Sequence, residues 1–177
     1  MKNKILYILL IIFGTQFSVA QEKEPKSLSD LLKIYNERSV PYISVQELAM
    51  PKTDAIILDA REMKEYHVSH LKNAIYVGYD NFEIDFVQQK LTNKKSKIVV
   101  YCSLGIRSED IAEKLKKAGY TNIFNLYGGI FEWKNNNFTI YDSEEKETEN
   151  VHIFNEVWGK WLIKGIKVYE KENEIQN

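Results

Sequence analysis

Only one of the 177 residues is a cysteine, Cys102, so neither a disulfide framework nor a cysteine-based zinc site can form within one chain. Proline occurs three times and glycine eight times, too rarely for a collagen-like or low-complexity polymer. An excess of one charge is missing as well. The 24 Lys and Arg against 25 Asp and Glu leave a formal net charge of −1, and no bulk basic field draws nucleic acid or an anionic membrane. No apolar run reaches the ~20 residues that a membrane-spanning helix requires. No spacing of His, Asp and Cys suggests a metal ligand set, and nothing in the sequence calls for a cofactor. What is present is an ordinary globular composition, 44% apolar and 12% aromatic, ample for a single core.

The N-terminus reads as an address. Lys2 and Lys4 precede an apolar stretch over residues 5–13, and Ser18-Val19-Ala20 follows it. A positive start, a short apolar middle and small residues before the cut define a secretory signal peptide over residues 1–20, cleaved between Ala20 and Gln21. Loss of Lys2 and Lys4 takes the net charge from −1 to −3. It leaves no membrane span and places the chain outside the cytoplasm, in periplasm or medium. There a lone thiol has no cytosolic reducing buffer, and an idle exposed cysteine is a liability.

Residues 21–40 form a lead. After a polar start, Ser27 to Tyr35 has helical apolar spacing behind a capping serine. Ser44-Val45-Gln46-Glu47 reads as a capping box. Short continuous apolar runs follow at residues 55–59, 74–77, 97–101 and 122–126, a pattern suited to strands buried on both faces of a parallel sheet. Helical patterns at 80–90 and 108–118 alternate with them, the second stopping at Gly119. Strands alternating with helices predict an α/β fold with a parallel sheet. Residues 138–177 differ in character. The stretch 142–150 is acidic and polar, a linker or mobile loop, and 151–169 returns to aromatic density as a helix followed by a strand, too short to form a core alone.

Cys102 falls between a buried strand and an amphipathic helix, in Cys102-Ser103-Leu104-Gly105-Ile106-Arg107-Ser108. Ligands of open α/β sheets bind at the carboxyl ends of strands. A loop there that runs straight into a helix turns backbone N–H groups into one concavity and adds the positive end of the helix dipole. That field favours a thiolate. Gly105 lets the loop curl, and Arg107 adds a permanent charge at the rim. The pattern suits a nucleophilic thiolate receiving an anionic substrate. A buried structural cysteine at a strand end explains the same spacing equally well.

Five stretches, in order, resemble the rhodanese (sulfurtransferase) domain family. They are Leu58-Asp59-Ala60-Arg61 with Glu65-Tyr66; His70-Leu71-Lys72-Asn73-Ala74-Ile75; the loop from Cys102 to Ser108; Leu115-Lys116-Lys117-Ala118-Gly119-Tyr120; and Gly128-Gly129-Ile130-Phe131-Glu132-Trp133. Together they cover residues 41–137. The resemblance implies a five-stranded parallel sheet flanked by helices on both faces. It also implies that Cys102 takes a sulfane sulfur from thiosulfate or a persulfide and passes it to a thiol or cyanide. The N–H groups of Ser103, Leu104, Gly105, Ile106, Arg107 and Ser108 would hold the persulfide's charge. Asp59 and Arg61 would be a structural pair bracing the sheet end, and His70 a structural histidine before the second strand. Phosphatases and arsenate reductases that share this fold place five residues between Cys and Arg. This chain has four, a tighter nest suited to a sulfur atom.

The partners implied are a small-molecule or protein sulfur donor and a thiol acceptor. The neutral loop residues Ser103, Leu104 and Ile106 lean toward a persulfide or a partner protein over free thiosulfate. The competing reading is a non-catalytic sulfur carrier, sensor or protein-binding module, against which the intact cysteine loop counts. A disulfide oxidoreductase would need a second cysteine to resolve a mixed disulfide. Trp158 and Trp161, three apart, would share one helix face, either packing on the parent domain or docking a partner. His67 reads as a solvated helix residue, and Gly128-Gly129 as a tight turn.

Overall fold

Runs of Ile, Val and Leu without polar alternation need cover on both faces. In the computed structural model, which describes residues 24–169, they receive it. In chain order the elements are α1 (Leu28–Tyr35), β1 (Tyr42–Ile43), α2 (Val45–Leu48), β2 (Ile56–Asp59), α3 (Met63–Val68), β3 (Ile75–Tyr76), α4 (Ile84–Lys90), β4 (Ile98–Tyr101), α5 (Arg107–Lys117), β5 (Ile123–Leu126), α6 (Gly129–Asn135), β6 (Ile140–Tyr141), β7 (Glu147–Thr148), β8 (Asn150–His152), α7 (Glu156–Gly159) and β9 (Ile166–Val168). The five parallel strands of the main sheet run in the order β1-β5-β4-β2-β3. On central β4, Val99 and Tyr101 face a core shared with α1, α2 and α6, while Ile98 and Val100 face one shared with α4 and α5. The expected helix-covered parallel sheet is therefore present.

Register sets the site. Asp59 pairs with Tyr101 across β2 and β4, and Asn125 pairs with Val100 across β5 and β4. The carboxyl ends of the three strands thus lie together, where an open α/β sheet places its ligands, and Cys102 follows directly.

The structure departs from the sequence reading in several places. Strand β1 has only two residues, too few for a periodic signal, yet the N–H groups of Asn125 and Tyr127 donate to Pro41 and Ile43 carbonyls at 2.9 Å. Only half of the Ser44 capping box forms. Ser44 accepts the Glu47 N–H at 3.1 Å, but the Glu47 carboxylate turns to Lys97 at 3.3 Å. A reciprocal box forms instead at α3 between Glu62 and Glu65. The acidic stretch 142–150 is not a linker. Residues 142–148 form the turn and second strand of an antiparallel β6–β7 hairpin, Asn150 opens β8, and Asp142 closes the turn by accepting the N–H groups of Glu144 and Lys146 at 2.9 and 3.0 Å. Tyr141 and His70 exchange backbone hydrogen bonds of 2.7 and 2.9 Å, which ties the hairpin to the domain.

The C-terminal segment is a strand, a helix and a strand, with β8 parallel to β9. Its Val151, Ile153 and Leu162 are buried in the same core as Val99 and Tyr101. α7 has four residues, so Trp161 lies beyond it and the two tryptophans do not share a helix face. The signal peptide read over residues 1–20 lies outside the described residues. Among the described residues no helix is long and apolar enough to cross a membrane.

Candidate active site

Between the end of β4 at Tyr101 and the start of α5 at Arg107 runs a loop that delivers Cys102 to a helix N-terminus. Its side of the sheet is crowded, and Cys102 is only 2% exposed. Cys102 nevertheless lines a pocket at this end of the sheet. The Gly105 N–H donates to Sγ at 3.1 Å, from a residue at φ +101° that only glycine adopts easily. Ser108 Oγ lies 3.5 Å from Sγ and donates to Asn125 Oδ1 at 2.7 Å. The Gly105 carbonyl accepts from two amides, Asn125 Nδ2 at 2.8 Å and Asn36 Nδ2 at 2.7 Å. A buried asparagine thus fixes both groups that approach the sulfur. The Gly105 N–H is thus held on Sγ just ahead of the 11-residue α5, which begins at Arg107.

α6 supports the loop from behind. The N–H groups of Ile130 and Phe131 donate to the carbonyls of Cys102 and Ser103 at 3.0 and 3.1 Å. The approach is so close that a Cβ on Gly129 would stand 2.1 Å from the Cys102 carbonyl oxygen. The double glycine is a tight turn, as expected, and it also leaves room for the cysteine loop.

Arg107 does not stand free at the rim. Its Nη1 and Nη2 each donate at 2.7 Å to a separate carboxylate oxygen of Glu65, whose side chain is fully buried. Ser103 Oγ joins them, donating to Glu65 at 3.0 Å and accepting from Arg107 at 3.0 Å. Burial pushes the Glu65 carboxyl upward, but the hydrogen bonds and charge of Arg107, followed by Arg61, outweigh it and hold the group at about 2. The charge expected to attract an anionic substrate is thus matched by a buried carboxylate, because a planar guanidinium and a carboxylate fit two bonds at once.

Asp59 and Arg61 form a fully buried pair at 2.6 Å. Arg61 also donates to the Ser69 carbonyl at 2.6 Å, and the Tyr101 hydroxyl donates to Asp59 while accepting the Leu71 N–H at 3.1 Å. The cluster ties β2 and β4 to the segment before β3. His70 stacks on Tyr66 with centroids 4.2 Å apart, and its ring nitrogens lie 3.2 Å from the Tyr66 carbonyl and the Glu145 carboxylate. These bonds lead into the fold and the hairpin. His67 is exposed.

The pocket has a volume of ≈ 130 Å³ and is lined by Cys102, Ser103, Leu104, Ile106, Arg107, Phe154 and Trp158. Gly105 and Ser108 approach Sγ without lining it. Four residues of this neighbourhood escaped the sequence reading as parts of the site. Glu65 stands in the sequence only as one letter of the motif from Leu58 to Tyr66. Asn125 carried a usable signal, a lone amide inside the apolar run Ile123-Phe124-Asn125-Leu126. Asn36 and Phe154 carried none, since only long-range packing brings them here. Among the described residues no cluster of His, Cys, Asp and Glu could hold a metal ion.

Comparison with known proteins bears on the family and the fold. A sequence model of the family described as "Rhodanese-like domain" matches residues 44–136. The chain is 37% identical over 99 residues to the tRNA uridine(34) hydroxylase of Aster yellows witches'-broom phytoplasma, covering 52% of this chain and 32% of that protein. To the protein of the same name from Hamiltonella defensa it is 37% identical over 86 residues, covering 45% and 23%. The chain therefore spans about a third or less of the length of these curated relatives. Among solved structures, the thiosulfate sulfurtransferase of Pseudomonas aeruginosa superposes with a TM-score of 0.55 at 23% identity, over 63% of this chain and 22% of that one. A rhodanese-like domain from Anabaena superposes with a TM-score of 0.52 at 20% identity, over 58% and 80%. These two likenesses show a common fold.

Proposed function

Because the chain belongs to the rhodanese-like domain family, we propose that it is a sulfurtransferase in which Cys102 carries a sulfane sulfur as a persulfide. The observation that carries this reading is that Cys102 lines a pocket and its sulfur accepts a backbone N–H at 3.1 Å. With thiosulfate as donor, the Cys102 thiolate attacks the outer sulfur. The Sγ–S bond forms as the S–S bond of thiosulfate breaks, and sulfite leaves with the bonding pair. The persulfide anion then faces the Gly105 N–H and the α5 terminus. An acceptor thiolate or cyanide attacks its outer sulfur and regenerates the Cys102 thiolate. No external oxidant or reductant is consumed. An organic persulfide enters by the same displacement, with a thiolate as leaving group.

Two half-reactions on one nucleophile require ping-pong kinetics. Initial rates with thiosulfate and cyanide varied together are expected to give parallel double-reciprocal lines, with no turnover by Cys102→Ser. Intersecting lines, or an active Cys102→Ser, would refute the proposal. The cysteine on a pocket supports catalysis over a purely carrier, sensor or adaptor role. The hydroxylation in the relatives' names belongs to much longer chains, and this one, at net charge −1, has no basic field for tRNA. On the signal-peptide reading of residues 1–20, we place the activity outside the cytoplasm.

A further inference from the structure

Part of the Cys102 pocket lies outside the segment that matches the family. Residues 44–136 supply the loop, whereas Phe154 and Trp158 come from the C-terminal segment. Phe154 has φ +66°, a backbone conformation that an aromatic residue keeps only when its surroundings hold it there. Its N–H donates to His152 Nδ1 at 3.1 Å, and its ring, with Phe154 still 49% exposed, lies 5.5 Å from the Arg107 guanidinium. Trp158 is fixed at its backbone by the Asn155 side chain at 3.1 Å and at its ring by Tyr35, edge-on at 5.6 Å. Both rings are therefore positioned rather than merely buried.

Charge in the pocket is already balanced. The Arg107 guanidinium meets both oxygens of an ionised Glu65, and no other charged residue lines the cavity. A dianion such as thiosulfate would lose its hydration there for little return. An apolar group would gain, because beyond Cys102, Ser103 and Arg107 the lining is Leu104, Ile106 and the two rings. A cavity of about 150 Å³ lined by aliphatic and aromatic side chains accepts benzene, and the pocket here measures ≈ 130 Å³.

We propose that Phe154 and Trp158 determine specificity, so that the pocket takes small persulfides and thiols bearing an uncharged, ring-sized apolar group in preference to thiosulfate. The inference rests on the sulfurtransferase reading above and narrows its substrate class. In the donor step, the Cys102 thiolate attacks the outer sulfur of R–S–SH. The Sγ–S bond forms, the S–S bond of the donor breaks, and R–S⁻ leaves with the bonding pair and takes a proton from water. Sulfur changes carrier with no net oxidation.

The test is kcat/KM for benzyl persulfide and for thiosulfate, with cyanide as common acceptor, in wild type, Phe154→Asn, Phe154→Leu and Trp158→Ala. Asparagine tolerates the backbone at 154, so that variant removes the ring without adding strain. Wild type is expected to favour benzyl persulfide. The ratio of the two constants should fall about tenfold or more in Phe154→Asn and Trp158→Ala and recover largely in Phe154→Leu. Partial unfolding lowers both constants together and leaves their ratio alone, so the ratio reports the pocket. An unchanged ratio in Phe154→Asn, or a wild type that prefers thiosulfate, overturns the specificity and leaves sulfur transfer standing. A wild type that turns over neither donor overturns sulfur transfer itself, and the specificity with it.

Discussion

Glu65 and Arg107, 42 residues apart, meet through two parallel hydrogen bonds of 2.7 Å, and this pair fixes one side of the cysteine loop. Ser103, inside the loop, bonds to both partners. The cation serves the loop's shape more than the attraction of substrate.

The pair sets an acid limit on stability. The Glu65 carboxyl is held at about 2 in the folded chain against an ordinary value of 4.5. A group lowered on folding contributes stability in full above its unfolded value, and loses it as pH falls through the folded value. The contribution, about 3 kcal/mol by linkage, should therefore disappear between pH 4.5 and 2. Urea midpoints across that range are expected to fall steeply in wild type. In Glu65→Gln they should start lower and fall less.

Gly129 and Gly119 separate steric conflict from backbone strain. Both have positive φ, +55° and +93°. A Cβ at 129 meets the Cys102 carbonyl, whereas a Cβ at 119 has no neighbour within 4 Å. Gly119→Ala is expected to cost about 1–2 kcal/mol in urea unfolding and to load sulfur as wild type does. Gly129→Ala must displace the loop or α6. Its folded protein should load sulfur far more slowly, as read by mass spectrometry over time.

Asp59 and Arg61 are predicted to be structural. Asp59→Asn leaves a fully buried guanidinium without its counter-charge, a change that costs about 3–5 kcal/mol. Urea unfolding should show that loss, while the fraction that remains folded keeps the wild-type rate of sulfur loading. A normal urea midpoint with a lost loading rate would instead assign the pair to the chemistry.

Strands β2, β3, β4 and β5 were legible because each falls in a short, mainly apolar run of the kind a helix-covered parallel sheet requires, and the two residues of β3 are extended by Ala74 and Val77 on either side. The Cys102 loop was legible because a strand, a glycine and a helix start are local features. Strand β1 is too short to carry a period, and the acids of residues 142–150 concealed a hairpin whose turn one of them, Asp142, closes. The apolar wall was hidden for a different reason. Phe154 and Trp158 read as ordinary aromatics, and only the packing of β8 and Ile153 into the core brings them to a cysteine some fifty residues upstream. Arg107 was visible as a charge, but its partner Glu65 sits on α3, far away in sequence.

Intact-mass spectrometry tests the persulfide most directly. Wild-type protein treated with an organic persulfide and desalted should be heavier by one sulfur atom. Peptide mapping should place that atom on Cys102, and cyanide should remove it as thiocyanate. Cys102→Ser should remain at its starting mass. A wild-type chain left unchanged by persulfide and thiosulfate alike, or a Cys102→Ser chain that gains the same sulfur, would contradict the assignment.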